Sequence, residues 1–153
     1  MTENEHSLSG TRLRDALVRK LNDPSEGIVV LQSGAASNVG SREVACDALG
    51  RLAEIPFSPD SVQELPREEA RVLIRFAVDS LGARDPDDAR IVASLEALLL
   101  PVEASAFSTY RLASHSERAT TFVGRGLLGS SIEVGLISVR PDGFEVFWIG
   151  DED

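Results

Sequence analysis

Residues 117–153, ERATTFVGRGLLGSSIEVGLISVRPDGFEVFWIGDED, constrain the fold more than any other part of the chain. Apolar and polar side chains alternate along them, the period of a strand that turns one face to a core. Ala119, Thr121 and Val123 alternate with Thr120 and Phe122, and Ile132, Val134 and Leu136 with Glu133 and Gly135. Phe144, Val146 and Trp148 share a face opposite Glu145, Phe147 and Ile149. Arg140-Pro141-Asp142-Gly143 has Pro at the second turn position and Gly at the fourth, which suits a type I turn with a glycine bulge. A C-terminal β-meander is expected. Ile137 and Val139 continue the apolar set out of phase, and a one-residue shift exchanges the two faces, so a bulge or strong twist is expected near Gly135–Ile137.

The rest of the chain reads mainly as helix. Leu13, Ala16, Leu17 and Leu21 predict a helix over about residues 11–22, and Val44, Ala45, Ala48, Leu49 and Leu52 predict one running from Ser41 through about Glu54. Pro66 followed by Glu68 and Glu69 suits the start of a third, with Leu73, Phe76, Ala77 and Leu81 inward. Asp85 as cap, Pro86 in the first helical position and Asp87 and Asp88 in the first turn announce a fourth. Beyond Pro101, the spacing of Val102, Ala106, Phe107 and Tyr110 adds another amphipathic turn or two. Gly27-Ile28-Val29-Val30-Leu31 is the one strand candidate in the first hundred residues. The architecture expected is α+β, four or five helices packed on one face of a small antiparallel sheet formed mainly by the C-terminal β-meander, with strand 28–31 as an extension. Residues 1–10 are read as a flexible N-terminus, 11–150 as a single domain, and 151–153 as an acidic tail.

A balance of 15 basic to 25 acidic residues gives −10, a mean field that repels nucleic acid and anionic membranes. No apolar run approaches the roughly 20 residues of a membrane span. The N-terminal MTENEHSLSG has neither the basic start nor the apolar core of a signal peptide, so the cytoplasm is the expected location. The lone Cys46 has no CxxC or CxxH partner, and it reads as a small core residue. No cofactor or metal site is expected: Asp85, Asp87 and Glu96 fall at calcium-loop positions, but Arg90 stands where that loop needs Gly. His6 and His115 have no triad partner at an identifiable spacing.

Two segments invite binding. Leu31–Arg42 joins a strand to a helix and is rich in small residues. A phosphate or carboxylate could sit among Ser33, Ser37, Asn38 and Arg42, although no P-loop lysine and no G-x-G-x-x-G spacing are present. From Ala104 onward the charge balance of −3 is carried entirely by Asp151, Glu152 and Asp153. That tag could meet a basic protein, with Phe147 and Trp148 as aromatic anchors provided one is exposed. The function expected is a small acidic non-enzymatic protein-binding module of the inhibitor, immunity, adaptor or chaperone kind, engaging a basic partner. The alternatives are a small-ligand or anion-binding protein or enzyme using Ser33–Arg42, and a structural subunit of a homo-oligomer.

Overall fold

A computed structural model describes residues 10–21, 27–35, 40–55, 57–80, 85–116, 119–130 and 132–151. In chain order the elements are α1 (Gly10–Lys20), β1 (Ile28–Gly34), α2 (Ser41–Ala53), a 3-10 turn (Pro59–Ser61), β2 (Gln63–Leu65), α3 (Arg67–Ser80), α4 (Asp88–Leu99), β3 (Ser105–Ser108), β4 (Tyr110–His115), β5 (Thr120–Gly124), β6 (Ile132–Arg140) and β7 (Gly143–Asp151). The fold is α+β, with four α-helices among the described residues. An antiparallel five-stranded sheet runs β1-β7-β6-β3-β2, and β4 and β5 form a separate two-stranded sheet. Of the flexible N-terminus expected over 1–10, residues 1–9 lie outside the described residues and Gly10 opens α1.

The β6–β7 hairpin is the centre of the sheet. Its ladder runs without interruption from Ile132↔Asp151 to Arg140↔Gly143, so the bulge expected near Gly135–Ile137 is not formed. The change of phase has a different cause: residues 134–139 are buried on both faces of the strand, and a doubly covered strand carries a continuous apolar run. The helices are therefore not confined to one face. Ala48 and Leu52 of α2 line a cleft with Phe144 and Val146, whereas Leu13 of α1 and Leu98 of α4 border Glu145 on the opposite side. Strand alternation then places Trp148 with the α2 face and Phe147 and Ile149 with the α1 and α4 face. Phe147, Trp148 and Ile149 are fully buried, each contributing roughly 1.5–3 kcal/mol of hydrophobic stabilisation.

Pro141 and Asp142 join β6 to β7 as expected, but Gly143 does not adopt the positive φ of a glycine bulge. A side chain at Gly143 would approach the Gly34 carbonyl oxygen to 2.8 Å, so close passage of β1 is what calls for glycine there.

Two further expectations give way. Residues 105–108 and 110–115 are strand rather than helix: Ala106 and Phe107 lie on opposite faces of β3 and are both buried, and α2 and α3 both pack on this strand, which pairs with β6 and β2 at its edges. Serines and threonines in this stretch also favour non-helical backbone. Strand β2 exists through its pairing with β3 and carries no β-branched residue that would announce it. At α4, the Asp87 amide donates to Asp85 Oδ1 at 2.8 Å and the Asp88 amide to the Asp85 carbonyl at 3.0 Å. Asp85-Pro86-Asp87 is thus a turn leading into the helix, which begins at Asp88. The buried Lys20 joins α1 to this point through Asp88 Oδ1 at 2.7 Å.

Candidate functional site

After Ser108 the chain leaves the main sheet and forms the β4–β5 arm, so β5, the first strand of the expected meander, pairs with β4 rather than with β6. Three devices hold the arm's base. The buried Ser108 hydroxyl donates to the Gly135 carbonyl at 2.6 Å and accepts from the Tyr110 amide at 3.0 Å. Glu69 of α3 accepts from Arg111 Nε at 2.9 Å and from the Leu112 amide at 3.1 Å. Thr109 Oγ1 donates to the Arg125 carbonyl at 2.7 Å, while any side chain at Gly124 would collide with the Thr109 carbonyl and lie 2.6 Å from Tyr110 Cα. Farther out, the arm is exposed on most of its residues.

Under the arm lies a cleft of about 410 Å³, between α3, the two arm strands and the start of β6. Phe76, Tyr110 and Phe122 supply aromatic walls in a chain with only six Phe, one Tyr and one Trp. The Phe76 and Phe122 rings pack at a centroid distance of 5.2 Å, tilted by 52°, and the Tyr110 ring lies 5.9 Å from that of Trp148. Gly135 gives Trp148 its place, because a side chain there would run into the indole ring.

Among the described residues, Glu133 is the one charged residue lining the cleft. Its carboxylate accepts from Trp148 Nε1 at 2.7 Å, from the Leu128 amide at 3.0 Å and from the Leu127 amide. These N–H groups fix the carboxylate and fold residues 125–130 against the cleft, where Gly129 takes a φ of +74° that favours glycine. The Tyr110 hydroxyl is pushed up to about 12, first by burial and then by the nearby Glu133 charge. The phenol therefore stays neutral across the physiological range, and the cleft combines π-faces with one negative group. Such an arrangement attracts a cation.

The residues singled out in the sequence lie elsewhere. Ser33 is exposed on β1 and lines a different cleft, with Arg14, Leu31 and Glu145. Arg42 is exposed on α2 and does not line that cleft. Ser37 and Asn38 lie outside the described residues. The Glu43 carboxylate rests against Gly40 at the start of α2, the position an incoming anion would take. Phe147 and Trp148 are both fully buried, so the exposure an aromatic anchor needs is absent. Asp151 belongs to β7 rather than to a tail: it pairs with Ile132 and is buried, while Glu152 and Asp153 lie outside the described residues.

His115 is exposed on the arm, its Nδ1 2.8 Å from Thr120 Oγ1, and His6 lies outside the described residues. Cys46 is buried and faces the Ser58 carbonyl at 3.7 Å. Burial above all, then Asp47 and Glu43 against the opposing Arg42, raises its thiol pKa, which disfavours the reactive thiolate. No group of His, Cys, Asp and Glu among the described residues has metal-holding geometry, and none of their helices is long and apolar enough to cross a membrane.

Phe76, Phe122 and Glu133 carry no sequence signal beyond helical or strand periodicity, and the spacing of Tyr110 imitates a helix. Only the departure of β4 from the main sheet brings them together. Comparison with protein-family models, with curated proteins and with solved structures returned no match.

Proposed function

We propose that this protein is a small acidic protein-binding module, without catalytic activity of its own, that engages a partner bearing a basic surface. The observation that carries the proposal is the cleft under the arm: among the described residues its sole charged lining residue is an acid, held in place by three N–H donors, beside three aromatic rings. Anchors of this kind, an aromatic wall beside a fixed charge, concentrate binding energy in protein interfaces. The overall charge of −10 adds long-range attraction toward a basic partner and works against nucleic acid. The cytoplasm is the proposed setting, where a lone reduced cysteine is at home.

Binding to immobilised basic, neutral and acidic peptide pools, at low and at physiological salt, tests the proposal. Retention is expected on the basic pool alone, with association slowing about tenfold or more as salt rises. Equal retention on all three pools, or binding indifferent to salt, would contradict it.

A further inference from the structure

We propose that the cleft formed by Phe76, Tyr110, Phe122 and Glu133 seats a trimethylated lysine side chain carried on the basic partner. The seat presupposes the protein-binding role proposed above and adds the chemistry of the residue recognised.

Charge selects a cation: among the described residues no Lys or Arg lines the cleft, and Glu133 supplies the negative group. Both the aromatic faces and the carboxylate then act in the same direction. The kind of cation follows from the state of Glu133. Oε2 already accepts from the Leu127 amide and the Trp148 indole, and Oε1 from the Leu128 amide. Three of its roughly four lone-pair sites are thereby taken, so the carboxylate contributes its field and room for one more hydrogen bond. An unmodified lysine would bring three N–H donors, and an arginine five, to a carboxylate with about one lone pair left. Donors desolvated without partners cost free energy.

A trimethylammonium group has no donor to satisfy. It keeps a full positive charge and presents methyl groups that gain from burial against Phe76, Tyr110 and Phe122. A cleft of about 410 Å³ is ample for such a head group and its alkyl stem. The Tyr110 phenol is uncharged at physiological pH, so Glu133 has no second anion beside it from that ring.

The test is calorimetric titration of the full chain with three basic peptide pools that are randomised at flanking positions and differ only in a fixed central residue: lysine, trimethyl-lysine or arginine. Tetramethylammonium alone is the fourth titrant. The trimethyl-lysine pool is expected to bind at least about tenfold tighter than either other pool. Phe122→Leu should abolish that preference and Phe122→Tyr should keep it, with near-ultraviolet dichroism of Trp148 showing that both variants are folded. Equal, salt-dependent binding of the three pools would overturn the seat and leave the protein-binding role standing. No binding of any pool would overturn both. Tetramethylammonium binding as tightly as the trimethyl-lysine pool would overturn the assignment to a partner's side chain.

Discussion

The indole N–H of Trp148 donates to Glu133 Oε2 at 2.7 Å, which ties a fully buried aromatic residue of the sheet to the carboxylate that lines the cleft. Since the same oxygen also receives the Leu127 amide, the sheet, the loop over 125–130 and the cleft share one polar junction. Replacing it by Glu133→Gln sets a side-chain donor against one of these N–H groups. A loss of about 1–3 kcal/mol in urea unfolding is expected, together with a change in Trp148 fluorescence. An unchanged midpoint and spectrum would show that the junction contributes nothing.

Tyr110 is the only tyrosine, so its ionisation is readable without ambiguity from phenolate absorbance. The midpoint is expected near 12. Because the folded pKa lies above the unfolded one, this group's contribution to stability is complete below the ordinary phenol value of about 10 and is lost as pH rises through 12. Tyr110→Phe should remove that alkaline loss. A midpoint at the ordinary value would mean that the phenol is neither buried nor near Glu133.

Glu145 is half-buried between α1 and β1, and burial raises its pKa against the opposing pull of Arg140. A raised carboxylate favours the fold below its unfolded pKa, and that contribution is lost as pH rises through the higher folded value. Glu145→Gln is therefore expected to stabilise the protein at neutral pH and to have a smaller effect in acid. Thermal unfolding of both proteins across that range reads the difference, and a destabilised variant at neutral pH would reverse the sign.

Gly135 lies beneath Trp148, and an added methyl group would meet both the indole ring and the Phe147 carbonyl. Overpacking against rigid neighbours costs about 1–3 kcal/mol and sometimes more. Gly135→Ala is expected to reach the upper part of that range in denaturant unfolding and to shift the Trp148 emission. A variant as stable as the parent would place the ring elsewhere.

Local signals were legible wherever a local cause operated. Pro66 with Glu68 and Glu69 marked the start of α3, and Arg140–Gly143 marked the hairpin, because helix starts and tight turns depend on adjacent residues. Non-local causes left ambiguous patterns. Ala106 and Phe107 are buried on opposite faces of β3, on which both α2 and α3 pack, so their spacing imitated a helix face. Ile137 and Val139 broke the alternation because α2 covers the face of β6 that an open sheet would leave to water. The cleft was least legible, since its four principal residues come from α3, β4, β5 and β6 and none forms a motif with its sequence neighbours.

The most direct test of the cleft's role uses the indole N–H resonance of Trp148, unique in this chain and bonded to Glu133. During titration with the trimethyl-lysine peptide pool, that resonance is expected to shift and to saturate with the dissociation constant measured by calorimetry. A resonance that stays in place while the peptides bind would put the interaction elsewhere and contradict the account.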